Sequence, residues 1–274
     1  MRLSELGELG LLSELERRGL AEQIDDDAAE LEPGLVVTQD SLVEGVHFRL
    51  DWLSWRDLGF RAAAVNISDL AASGARPEAL LVSLGLPGET ELDEVLELYA
   101  GMAEAGVPVR GGDTTEAASV LTTVTAIGRA ERVPGRSGAR PGDQIVVTGP
   151  LGAAGAAFRE QRYVRPPIRV DEGIELAREA HAMLDLSDGL ARDAGHIAAR
   201  SGCKLVIELE RVPIAPGATD EDLGFGEDYE LLATTRSPLH FAVIGRCEEG
   251  EGVEIRRAGQ RVELGGWDQF RRKT

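Results

Sequence analysis

Carboxylates gather in several short motifs of this chain: Asp25-Asp26-Asp27, Thr38-Gln39-Asp40, Asn66-Ile67-Ser68-Asp69, Gly111-Gly112-Asp113-Thr114-Thr115 and Asp185-Leu186-Ser187-Asp188-Gly189. None of these motifs contains Lys or Arg. Carboxylates brought together without basic partners repel one another, and hard divalent cations, which prefer oxygen ligands, relieve that repulsion. The chemistry suggested first is a magnesium site. Each motif taken alone also has an ordinary reading, because Asp caps helices by accepting from free N–H groups at their positive end. Asp69 fits that reading poorly. It falls mid-helix among Ala62, Ala63, Ala64, Ile67, Leu70 and Ala71, where an unpaired carboxylate is costly.

Other residues offer chemistry with a bland alternative beside it. Asp113 follows two glycines, where backbone can approach a ligand and the side chain can hold a cation; a β-turn accounts for it equally well. His47, between Val46 and Phe48, reads as a half-buried strand histidine, and no second His sits at zinc-ligand spacing. Trp267, after Gly265-Gly266, packs a core or walls a ring-binding pocket. Glu227 and Asp228, in Gly226-Glu227-Asp228-Tyr229-Glu230-Leu231, read as a solvated strand edge. The run Gly149-Pro150-Leu151-Gly152-Ala153-Ala154-Gly155 opens a helix, where it either cradles phosphate or lets the chain turn tightly.

The elements that must position these residues are legible in outline. Residues 35–37 read as a strand running into Asp40, and residues 55–73 as a helix closed by Gly74 and Pro77, with Asn66 and Asp69 on one face. Residues 91–105 form a second helix, 107–109 a strand and 119–129 a longer strand, which places Asp40 and Asp113 just beyond strand ends. Pro134, Gly135, Gly138, Pro141 and Gly142 mark a domain boundary. Beyond it, strands are expected at 144–148, 183–185, 204–209, 229–234 and 241–245, a helix at 189–200, and a hairpin at 253–264.

Composition narrows the function. A chain of 274 residues is long enough for two domains, and 43% hydrophobic content with 33 Gly suits a globular α/β protein. A net charge of -19 argues against a nucleic-acid surface. Lysine occurs only at Lys204 and Lys273, neither after a glycine-rich turn, so a Walker-type phosphate loop is excluded. Phosphate must then be neutralised by metal ions, Arg and backbone N–H groups. Cys203 and Cys247 read as buried thiols in a reducing cytoplasm. The first 18 residues form an amphipathic helix rather than a signal peptide, and no apolar run reaches the ~18 residues that span a membrane.

In order along nearly the whole chain, the stretches Asp26-Asp27-Ala28-Ala29, Asp40-Ser41-Leu42-Val43-Glu44-Gly45-Val46-His47-Phe48, Asn66-Ile67-Ser68-Asp69-Leu70-Ala71-Ala72 and Gly111-Gly112-Asp113-Thr114-Thr115 resemble the thiamine-monophosphate kinase family. So do Arg136-Ser137-Gly138-Ala139-Arg140-Pro141-Gly142-Asp143, Asp185-Leu186-Ser187-Asp188-Gly189-Leu190 and Gly226-Glu227-Asp228-Tyr229-Glu230-Leu231. That family lies in the superfamily of aminoimidazole ribonucleotide synthetase. The resemblance implies a two-domain α/β (α+β) fold: residues 1–137 bind ATP and magnesium and dimerise through a sheet that forms a barrel, and residues 138–274 form a C-terminal α/β domain. It implies transfer of the γ-phosphoryl of ATP to thiamine monophosphate, directly and in line, in a cytoplasmic homodimer using several Mg²⁺ ions and no nucleic acid or membrane.

By the same resemblance the metal ligands are Asp26, Asp27, Thr38, Asp40, Asp69, Asp113, Asp185 and Asp188. Gly112, Asp113, Arg136 and Ser187 meet ATP; His47, Glu227 and Trp267 meet the acceptor; Asp40, Asp113 and Arg136 are catalytic. Asp25 and Gln39 depart from the family pattern, and the segments before Gly111 and over 158–170 are shorter than is typical. The alternatives are another ATP-dependent enzyme of the superfamily or a non-catalytic paralogue that binds metal and nucleotide. Selenophosphate synthetases need an N-terminal Cys and Lys, and hydrogenase-maturation relatives a C-terminal Cys; this sequence has neither and ends Arg271-Arg272-Lys273-Thr274.

Overall fold

The computed structural model describes residues 2–22, 24 and 26–267, so Asp25 and its departure from the family pattern lie outside the described residues. The chain begins with α1 (Leu3–Arg17), broken at Gly7 by a φ of 75°, and continues into β1 (Ala29–Glu32) and β2 (Leu35–Val43). Next comes α2 (Trp55–Ala72), capped by Ser54, whose Oγ accepts from the Asp57 N–H at 3.1 Å. Then follow β3 (Ala75–Leu86), α3 (Leu92–Glu104), β4 (Val109–Glu116) and β5 (Leu121–Ala130). The five strands form one sheet ordered β1-β2-β5-β3-β4. Only β3 and β4 pair in parallel within it, as a strand–helix–strand unit through α3 requires.

The second half comprises β6 (Gln144–Val147), α4 (Ala153–Arg159), α5 (Val170–Glu179), β7 (Ala182–Asp185) and α6 (Leu190–Ser201). It continues with β8 (Lys204–Glu208), β9 (Leu231–Thr235), β10 (Ala242–Glu248), β11 (Gly252–Arg257) and β12 (Gln260–Val262). These strands make a seven-stranded sheet ordered β12-β11-β8-β10-β6-β9-β7. Cys203, just before β8, and Cys247, within β10, are free, buried thiols.

α2 joins the two halves. Its run of Ala, Ile and Leu leaves 13 of its 18 residues buried, the mark of a helix packed on every side. Leu58, Ala62, Ala63, Ile67 and Leu70 enter the core of the first sheet. Ala71 and Ala72 join Leu176 and Ala177 of α5, Met183 of β7 and Leu231 and Ala233 of β9 in a separate apolar cluster. Against α3 the backbones nearly touch: a Cβ on Gly59 would lie 1.8 Å from the Leu98 carbonyl oxygen, and one on Gly101 1.8 Å from that of Arg56. The polar residues of α2 are therefore carried to the seam between the sheets.

Three expectations need correction. Asp40 and Asp113 lie inside β2 and β4 rather than beyond strand ends. β3 occupies the stretch where Pro77 reads as a stop; the proline sits where the register with β5 shifts between Pro77 and Ala79, a place where a missing N–H is tolerated. Asp228 and Glu230 are buried, not a solvated edge.

Candidate active site

Three carboxylates reach one point from three elements. Asp27 precedes β1, Asp69 is on α2, and Asp185 ends β7; one oxygen of each lies within 4.8 Å of the others. Thr38 on β2 puts its Oγ1 2.7 Å from Asp69 Oδ2 and 3.0 Å from the Asp27 carbonyl oxygen. Ser68 donates to Asp185 Oδ2 at 2.6 Å. Asn66, beside them on α2, accepts from the Asp40 N–H at 2.9 Å and donates to the Ala62 carbonyl at 3.0 Å, fixing β2 against the helix.

Burial and mutual repulsion hold these acids above the ordinary carboxylate range. Desolvation, then the charge of Asp27, pushes Asp185 up to about 8, against the Ser68 hydrogen bond. Asp69 is raised well above its usual value by burial and by Asp40, Asp185 and Asp27. Asp40 opens to the cavity yet is hemmed by protein, and desolvation with Asp27 and Asp188 pushes it up to about 6. Asp27 is also raised by burial, although Arg136 pairs with it and opposes the shift. Buried oxygen donors that resist ionising together suit divalent cations, and this donor set fits Mg²⁺.

A second group stands next to the first. Oxygens of Asp188 and Asp193 and a ring nitrogen of His196 lie within 4.8 Å of one another. Asp193 Oδ2 accepts from the N–H groups of Asp188 and Gly189, each at 3.0 Å, and so shapes the turn bearing Asp188. Arg192 Nε lies 2.9 Å from Asp188 Oδ2. Burial, with Arg136, Arg192 and Arg200, lowers His196 to about 4, so its ring is neutral at pH 7.

These groups face a cavity of about 630 Å³ between the sheets. Asp26, Asp27, Thr38, Asp40, Asp69 and Asp188 border it, with Arg136 and Ser187 alongside. Asp26 accepts from the Arg136 N–H at 2.5 Å, tying the segment before β1 to the loop between the two sheets. Arg136 Nε is buried with no hydrogen-bond partner among the described residues, a donor available to an anion. His47, Glu227 and Trp267 border the same cavity. The Val43 N–H donates to His47 Nδ1 at 3.0 Å, which leaves the proton of the neutral ring on Nε2. Trp267 is 39% exposed, and its backbone N–H donates to the Asp188 carbonyl at 3.0 Å.

Two predicted residues stand apart. Gly112 and Asp113 are exposed on β4, outside the cavity. Asp113 pairs with Ser83, Ser83 with Thr123 and Thr123 with Ser41, a row one residue removed from Asp40, so Asp40 and Asp113 point to opposite faces of the sheet. At the glycine-rich turn before α4 the Gly152 N–H is taken by both oxygens of Asp228, at 2.8 and 2.9 Å, and so is not open to a phosphate.

Sequence reasoning missed Arg61, Tyr163 and an aromatic cluster at the cavity. Phe158 on α4 sits 5.4 Å from Trp52 and 4.8 Å from Phe225, centroid to centroid. Arg61 was open to the argument made for Asp69, since it is a charge on the same apolar helix.

The family model described as AIR synthase related protein, N-terminal domain, matches residues 25–130, and that for the C-terminal domain matches residues 140–263. The chain belongs to the AIR synthase related family, among its thiamine-monophosphate kinases. Within this AIR synthase related family, the thiamine-monophosphate kinase of Aquifex aeolicus is 35% identical over 309 residues, covering 98% of this chain and 100% of the relative. That of Methanopyrus kandleri is 36% identical over 264 residues, covering 85% of each. The solved structure of AaThiL complexed with AMPPCP and TMP is similar with a TM-score of 0.90 at 36% identity, covering 98% of each chain.

Proposed function

We propose that this chain transfers the γ-phosphoryl group of ATP to thiamine monophosphate, giving ADP and thiamine diphosphate. The observation that carries this reading is one cavity bordered both by acids and Arg136 and by His47, Glu227 and aromatic rings. A solved relative at 36% identity holds AMPPCP, an ATP analogue, together with TMP.

The acceptor is a phosphate monoester with a second pKa near ~6, so its oxygen is already anionic at neutral pH and needs no general base. The barrier is repulsion between two polyanions and the entropy of aligning them. Arg136, whose Nε has no partner among the described residues, binds ATP phosphate; His47 Nε2 and the Glu227 carboxylate orient the acceptor; Trp267 covers its rings. Asp27, Thr38, Asp40, Asp69, Asp185 and Asp188 would hold Mg²⁺, which when bound screens the phosphates and helps to align them. Transfer is direct and in line, without a phosphoenzyme.

The protein acts as a homodimer. The open face of the first sheet exposes Leu81 (40%) and Leu121 (37%) among Ser41, Ser83 and Thr123, an apolar and hydroxyl surface suited to a second copy. Asp113 lies in the same row as Ser83 on that face, so Gly112 and Asp113 serve the site of the second copy rather than their own. The units are residues 1–137 and 138–274, and the compartment is the cytoplasm, where Cys203 and Cys247 stay reduced. No helix among the described residues is long and apolar enough to cross a membrane.

The test is ADP release with components omitted in turn. ADP forms only with ATP, Mg²⁺ and thiamine monophosphate together; ATP turnover indifferent to the acceptor contradicts the reading.

A further inference from the structure

Arg61 is a cation only 4% exposed on an apolar stretch of α2. Its Nη2 donates to Oε1 of Glu227, and its guanidinium carbon lies 5.7 Å from the centre of the Tyr163 ring. Glu227 stands in left-handed backbone with a φ of 59°, and Tyr229 follows with a φ of 51°. Residues with a side chain keep that conformation where their surroundings impose it. The Glu227 N–H donates to the Ser187 carbonyl at 2.8 Å, which completes the constraint. The carboxylate is thus held at backbone and side chain alike. Its side chain remains 31% exposed at the cavity, with Oε1 engaged and no hydrogen bond to Oε2 among the described residues.

We propose that Arg61 is a specificity-determining positioning residue: by gripping Oε1 it presents Oε2 of Glu227 as a lone acceptor for the exocyclic amine on the acceptor's pyrimidine ring. This inference rests on the proposed function. An amine donates to a carboxylate oxygen, whereas a ring carbonyl at the same place offers a lone pair that the carboxylate repels. The planar guanidinium, set over the Tyr163 ring, aims its Nη2–H at Oε1 from one direction, which a freely rotating ammonium does not.

The pair makes a test in which specificity inverts. Wild type should favour thiamine monophosphate over its 4-oxo analogue by at least ~100-fold in kcat/KM, the kind of margin a buried polar mismatch supplies. In Glu227→Gln, Arg61 still holds Oε1, so the amide NH₂ turns to the cavity and the preference should move at least ~100-fold toward the 4-oxo acceptor. In Arg61→Met/Glu227→Gln the amide loses its anchor, and the two acceptors should come within ~10-fold of each other, while KM for ATP stays within about twofold throughout. If the Met variant does not fold, Arg61→Lys/Glu227→Gln replaces it and should show a weaker switch than Glu227→Gln alone. Unchanged preference in folded Glu227→Gln, or an equal switch with and without Arg61, overturns the inference. Absence of turnover with thiamine monophosphate in the wild type instead counts against the proposed function.

Discussion

At the scale of single residues, the site is a set of acids that the fold does not let ionise freely. Asp40, raised to about 6, and Asp185, raised to about 8, bind protons in the folded chain where the unfolded chain has released them. Their contribution is most favourable below the ordinary carboxylate pKa of ~4 and is lost as pH rises through the two folded values. In chelator, the melting temperature should therefore fall between pH 5 and pH 8, and Mg²⁺ should raise it at pH 8 far more than at pH 5. Asp185→Asn should flatten the decline, shrink the Mg²⁺ effect and lower turnover by at least ~100-fold, as when a charged transition-state stabiliser is removed. Equal Mg²⁺ stabilisation at both pH values, seen by scanning calorimetry, would show that the acids are not a cation site.

At the scale of elements, α2 sets the geometry, because Arg61, Asn66, Ser68 and Asp69 ride on one helix clamped from every side. The clamp depends on glycine at the crossing with α3. Gly101→Ala puts a methyl where the Arg56 carbonyl oxygen stands and should cost about 1–3 kcal/mol, the range for overpacking. Urea unfolding should show that loss with an accompanying fall in turnover; a variant as stable as wild type would mean the helices slide apart at no cost. The sequence disclosed this helix and the cost of a carboxylate at Asp69, because periodicity and local apolar context are properties of adjacent residues. It did not disclose β3, where Pro77 sits at a register shift opposite β5, nor that Asp228 fills the glycine-rich helix start from 76 residues away. Such pairings are set by tertiary contact. The acid motifs were legible as a group, but which of them converge was not: Asp27, Asp69 and Asp185 meet, while Asp113 faces away on another side of the sheet.

At the scale of the whole molecule, two sheets close one cavity, and the proposal that a second copy uses the outward face bearing Ser83 and Asp113 can be tested at that face. Leu81→Asp, at an exposed position of that face, should yield a folded monomer in analytical ultracentrifugation and lose most turnover; an active monomer would return Asp113 to a structural role. The central claim is phosphoryl transfer between two phosphate compounds held in this cavity. ³¹P NMR of the protein with ATP, Mg²⁺ and thiamine monophosphate tests it most directly. The signals of thiamine diphosphate and ADP should grow in equal amounts as the monophosphate signal declines, with no inorganic phosphate. Growth of inorganic phosphate with the monophosphate signal unchanged would contradict the account.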